Sequence, residues 1–175
     1  MSTSLSQLPT YLPVPVDDGA AVHLPGSVLP NIALPSTDGA TVNLGDLRGR
    51  WVLYIYPMTG RPDVSLPDGW DAIPGAGGCT PQSCGFRDHY AELKALNTGL
   101  FGLSAQTTQY QREARDRLHL PFQLLTNSTP TTQEHHAVTD VHGGRDGAIQ
   151  AVDPNRARWT DREDFLSRFP ARPER

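Results

Sequence analysis

Residues 78–93 read GCTPQSCGFRDHYAEL and hold both cysteines of a 175-residue chain, Cys79 and Cys84. The stretch carries the signals of a helix start. Thr80 is a candidate N-cap, and Pro81 suits the first helical position, where a missing N–H costs nothing. Phe86, Tyr90, Leu93 and Leu96 then recur three or four residues apart, which gives one apolar face. Cys79 falls just before this start. A thiolate there meets unpaired backbone N–H groups and the positive end of the helix dipole, a setting that lowers a thiol pKa. Cys84 lies five positions on. In an intact helix that is a rise of about 7.5 Å and a rotation of roughly 500°, so the two side chains point to different faces. A disulfide needs Cα atoms about 4.4–6.8 Å apart. The pair therefore closes only if the first turn opens or Cys79 lies outside it. That geometry suits a cycle in which Cys79 is oxidised and Cys84 attacks the product. The bland alternative is one buried cysteine beside a half-exposed bystander.

Upstream, WVLYIYP (residues 51–57) has the aromatic and β-branched content of a buried strand, ended by Pro57. A long Pro- and Gly-rich loop, residues 58–78, separates it from the helix. Loops beyond about 12–15 residues inside a compact domain are usually functional or disordered. A lid over the cysteines and a surface insertion are equally weighted readings. Before the strand, NIALPSTDGATVNL (31–44) alternates apolar and polar residues around Asp38-Gly39, a hairpin signal. DLRGR (46–50) fits one helical turn. Downstream, GLFGLSA (99–105) is a second strand. Thr107 or Thr108 caps a second helix with Tyr110, Ala114 and Leu118 on its inner face, and FQLL (122–125) is a third strand. Strand–helix–strand alternation predicts parallel pairing through right-handed crossovers.

The ends read differently. Residues 1–29 are an extended lead-in, with a docking strand near Ala20–Leu24, and residues 30–126 form the domain. Residues 127–175 are atypical, either weakly structured or partly completing the sheet. Within them GAIQAV (147–152) fits a strand, and TDREDFLSRF (160–169) fits a short helix with a Thr160–Glu163 capping box.

A net charge of −4 without a basic cluster argues against a nucleic-acid partner. No apolar run approaches the roughly 20 residues a bilayer span requires, and the opening residues lack the pattern of a signal peptide. The expected location is the cytoplasm, where thiols stay reduced. His135, His136 and His142 fit no standard zinc spacing with the cysteines.

Taken together, LPNIALPSTDGATVNLGDLRGRWVLYIYP, GCTPQSCGFRDHYAEL and LFGLSAQTTQYQREARDRLHLPFQLL resemble the peroxiredoxins, most of all the Q type or bacterioferritin comigratory proteins. The resemblance covers roughly residues 30–125. It implies an α/β thioredoxin-like fold, a central mixed sheet flanked by helices. Here that fold carries a long loop before the cysteine and an atypical C-terminal part. It implies a thiol-dependent peroxidase, an antioxidant oxidoreductase that reduces hydrogen peroxide or organic hydroperoxides through a redox-active disulfide. Cys79 would be peroxidatic and Cys84 resolving, with thioredoxin or another dithiol as reductant. No metal, flavin, haem or other cofactor is implied, and the family's usual state is a monomer.

Two features depart from the family pattern. The family has a Thr or Ser three residues before its peroxidatic cysteine, where this chain has Ala76; Pro57 fits the strand-end proline, and Thr59 is the nearest hydroxyl able to fold back over the site. The family also carries an activating Arg on a strand after the FQLL equivalent. Here only Arg145 precedes a candidate strand, and Arg87 and Asp88 read equally as surface pairs or site residues. The alternative function is therefore a non-catalytic redox sensor or interaction module on the same fold, inactivated by the loop and C-terminal changes.

Overall fold

The computed structural model describes residues 24–73, 76–127 and the backbone of 149–150. Strands β1 (Ala33–Pro35) and β2 (Thr41–Asn43) pair antiparallel, with Leu34 opposite Val42. Their turn is the expected Asp38-Gly39. The Asp38 carboxylate accepts from Ala40 N at 3.0 Å, and Gly39 adopts φ +91°, a conformation that L side chains rarely adopt. Leu44–Asp46 forms a 3₁₀ turn, with Asn43 Oδ1 accepting from Gly45 N. The expected turn thus begins two residues early, because Asn43 supplies its cap.

The main sheet contains β3 (Arg50–Ile55), β4 (Thr98–Ser104), β5 (Gln123–Thr126) and the short β6 (Ile149–Gln150). Its order is β5-β4-β3-β6, and each of these pairings is parallel. The antiparallel component comes from the hairpin: Ser36 bridges Leu125 antiparallel, and Thr37 N donates to Leu124 O at 3.0 Å. Helices α1 (Cys79–Asp88) and α2 (Tyr90–Ala95) make the first crossover, and α3 (Thr108–Arg117) the second. The expected single helix breaks at His89, where ψ turns to 17°. Its apolar face survives, with Phe86 and Leu93 buried and Tyr90 and Leu96 packed beside them.

β3 is buried on both faces, as a central parallel strand should be. Val52, Tyr54 and Tyr56 join Phe86, Leu93, Leu100, Phe122 and Leu124 on one side, while Leu53 joins Leu34, Leu44, Leu103 and Leu125 on the other. The period of two along the strand sorts them. Opposite Tyr54 stands Gly102, where an added Cβ would lie 2.7 Å from the phenol ring and from Leu124. This glycine lets Tyr54 lie flat across β4, under α1. The α3 N-cap is Thr107, whose hydroxyl accepts from Tyr110 N at 3.2 Å. The buried face of α3 is Gln111 and Ala114, with Leu118 packed just beyond. Tyr110 differs from its expected inner place: it lies half-buried under Arg61, whose guanidinium is 5.5 Å from the ring centroid.

The strand GAIQAV is described only as β6, beside Trp51 and Val52 of β3. The docking strand near Ala20–Leu24 (described only at Leu24), Arg145, the three histidines and the Thr160–Glu163 box lie outside the described residues.

Candidate active site

The chain leaves β3 through Tyr56, whose N–H still pairs with Leu103 O, and Pro57, whose carbonyl accepts from Ser104 Oγ at 3.1 Å. The next residue is Met58, whose backbone N–H favours the Cys79 thiolate. Thr59 follows, fully buried. Its N–H and Oγ1 both donate to Gln106 Oε1, at 3.0 and 3.2 Å, and Gln106 Nε2 donates back to Thr59 O at 3.4 Å. The Thr59 hydroxyl proton is thus spent on Gln106.

The long loop is fastened at both ends. At its start, Arg117 Nη2 donates to Gly60 O at 2.8 Å, and Arg61 reaches Asp63 and Glu113. At its end, Trp70 Nε1 donates to Ala76 O at 3.1 Å. The Cys79 thiol donates to that same carbonyl at 3.8 Å. Where the family has a hydroxyl three residues before the cysteine, this chain presents a backbone carbonyl.

Ala76–Gly78 is a 3₁₀ turn that runs straight into α1, so the N-cap is Gly78, with φ −80° and ψ −18°. This corrects the expected Thr80 cap. The 3₁₀ turn already supplies helical backbone, so Cys79 becomes the first helical residue. Thr80 is buried in the first turn, and Pro81 still falls where the N–H it lacks would have no intrahelical partner. A second correction concerns acidity. Cys79 is only 2 % exposed, and burial pushes its thiol up, against the Met58 and Cys79 backbone N–H groups that favour the thiolate. The helix N-terminus is present as expected, but desolvation outweighs it in this closed arrangement.

Under the first turn, Ser83 Oγ donates to Cys79 O at 3.0 Å, and the buried Tyr54 hydroxyl lies 3.1 Å from Ser83 Oγ. Burial pushes the Tyr54 phenol well above its ordinary range, so it stays neutral. Gln82, on the same turn, is fully buried and has no hydrogen-bond partner for Oε1 or Nε2 among the described residues. Cys84 is buried and free, as is Cys79. Burial raises its thiol too, and the positive charge of Arg87 opposes that rise. Arg87 is no mere surface pair: it holds Asp88 at 2.8 Å, and its Nη1 also donates to Leu118 O at 2.9 Å.

The structure brings Cys79, Cys84, Pro57 and Thr59 to one end of β3. Sequence reading did not single out Met58, Gln106, Gln82, Ser83 or Arg117, and it took Tyr54 as a packing residue of the strand. Only the i, i+4 spacing of Cys79 and Ser83 could have flagged one of them, because the others meet the site through the tertiary fold.

A family model for redoxins matches residues 24–146. Peroxiredoxin bcp1 of Schizosaccharomyces pombe is 33% identical over 58% of this chain and 46% of its own length. Peroxiredoxin Bcp of Escherichia coli is 32% identical over 67% of this chain and 63% of its own. The chain thus spans about half to two thirds of these relatives. Among solved structures, peroxidoxin BcpB of Mycobacterium tuberculosis aligns with a TM-score of 0.48 at 23% identity, over 61% of this chain and 60% of that one. The redoxin match and the curated relatives make the assignment: this chain belongs to the redoxin family, as a peroxiredoxin of the Q, or bacterioferritin comigratory, type.

Proposed function

We propose that the chain is a thiol-dependent peroxidase in which Cys79 is peroxidatic and Cys84 resolving. One observation carries this reading: both thiols are free and buried on α1, with Cys79 as its first residue at the helix N-terminus. The Cys79 thiolate attacks the terminal oxygen of a peroxide, the O–O bond breaks, and the departing oxide takes a proton from water. The first turn of α1 opens, Cys84 attacks the sulfenic sulfur, and a disulfide forms with loss of water. A thioredoxin-type dithiol reopens it by exchange. Hydrogen peroxide and organic hydroperoxides are the substrate class. The same reading takes the chain to be a cytoplasmic monomer.

Pro57 and Thr59 act indirectly. They hold the corner after β3 through Ser104 and Gln106. Residues 30–126 carry this chemistry, while 127–175 flank it.

Intact mass after one equivalent of hydrogen peroxide, sampled over seconds, tests the cycle. The expected result is rapid Cys79–Cys84 disulfide in the native chain, and sulfenic acid that accumulates only in Cys84→Ser. Reaction no faster than a free thiol, or equal loss of both thiols in either single variant, supports the non-catalytic sensor instead.

A further inference from the structure

Residues 62–69 and 71–73 of the long loop are exposed, and Trp70 between them is half-buried. Trp70 opens a short 3₁₀ turn, Trp70–Ala72, after Gly69 at φ +77°. Its backbone carbonyl accepts from Ile73 N at 3.1 Å, and the Ile73 carbonyl accepts from Ala76 N at 3.1 Å. Its side chain closes the circuit, because Nε1 donates to Ala76 O at 3.1 Å. Ala76 is therefore held on both sides, its N–H and its carbonyl each fastened to the loop. Ala76 is buried, and its carbonyl is the one to which the Cys79 thiol donates at 3.8 Å. A loop tryptophan and the candidate nucleophile thus share one acceptor.

This contact has a sign. A thiol donates to a carbonyl, whereas a thiolate cannot and meets the negative end of its dipole instead. Hydrogen bonding to the neutral form of an acid disfavours the charged form. A carbonyl free to turn would swing away on ionisation and soften that penalty; one tethered by an indole cannot. The titratable groups packed with Cys79 are the Tyr54 and Tyr56 phenols, which burial keeps neutral.

We propose that Trp70 is a positioning residue for Cys79: its indole N–H fixes the Ala76 carbonyl beside the sulfur and so holds the nucleophile as a thiol. The inference deepens the peroxidase reading above and rests on it for its consequence, since the thiolate is the form that attacks peroxide. Trp70 acts on the reaction only through the proton of Cys79.

In the full chain carrying Cys84→Ser, Cys79 is the one remaining cysteine. Thiolate absorbance then reports its titration, and intact mass after hydrogen peroxide reports its sulfenic acid. Trp70 is replaced in two ways. Trp70→Phe removes the N–H and part of the ring system, whereas benzothienylalanine at the same position keeps the shape and puts sulfur where the N–H was. Both are expected to titrate Cys79 about one pH unit lower. That shift raises the thiolate fraction about tenfold below the midpoint, while the less basic sulfur is roughly threefold less nucleophilic. Sulfenic acid formation near neutral pH should therefore quicken about threefold. An unshifted titration with benzothienylalanine overturns the proposal, even where Trp70→Phe shifts it, because the cover over Cys79 and not the N–H would then be the cause. If no chain forms sulfenic acid, the peroxidase reading falls, while the titration, which needs no peroxide, still decides the role of Trp70.

Discussion

Cys79 is an acid held neutral by its own burial. The folded thiol is pushed up from its ordinary value, so the folded state binds its proton more tightly than the unfolded chain does. Its contribution to stability is therefore complete below the unfolded thiol pKa of about 8.5, and is lost as pH rises through the folded value. Urea unfolding of the reduced chain should show stability falling as pH climbs through that window, with a shallower fall in Cys79→Ser. Equal slopes in the two proteins would remove burial of this thiol as the cause. Thr59 poses a different problem at the same scale. Its buried N–H and hydroxyl rely on one acceptor, Gln106 Oε1. Gln106→Ala orphans both and should destabilise by about 1–3 kcal/mol. It should also slow sulfenic acid formation, because the corner after β3 that flanks Cys79 loosens. Denaturation midpoints and single-turnover mass spectra read the two effects separately.

Helix α1 is both fastened and strained within one turn. Ser83 and Tyr54 pin the Cys79 carbonyl, whereas Gln82 buries an amide with neither end satisfied. A buried unsatisfied group costs about 1–3 kcal/mol, which is relieved when the turn opens to water. Opening is what disulfide closure requires, since an intact helix holds residues five apart on different faces. Gln82→Met, similar in size without the polar atoms, should raise stability and slow closure after Cys79 oxidation. Ser83→Ala should lower stability and speed closure. Opposite signs in the two variants, read by urea melts and disulfide kinetics, are the expected pattern; closure that ignores both would detach the turn's stability from the cycle.

Across the whole molecule, the sheet places these parts. Tyr54 reaches the underside of α1 because Gly102 leaves room beside it. Gly102→Ala forces a methyl to 2.7 Å from the phenol ring and Leu124. Overpacking of this kind costs typically about 1–3 kcal/mol, and a lowered melting temperature with intact secondary structure should report it. β6 supplies the neighbour of Trp51 and Val52. A chain ending before residue 147 loses that pairing and bares part of the β3 edge, so it should self-associate, as light scattering would show.

Much of this was legible in the residues alone. The Asp38-Gly39 turn, the β-branched and aromatic strands, the Thr107 cap and the apolar spacing of Phe86, Leu93 and Leu96 are local signals, fixed by steric and periodic rules that act within a few residues. The cysteine pair and its flanking FRD run were equally local, and they carried the family resemblance. What only the tertiary structure decided is non-local. The 3₁₀ turn that makes Cys79 the first helical residue depends on how the long loop returns. The raised thiol depends on what covers it. Arg87 reaches α3 rather than only its neighbour Asp88 because the Leu118 carbonyl anchors its guanidinium. Desolvation and long-range contacts set those outcomes, and neither is written in the spacing of residues along the chain.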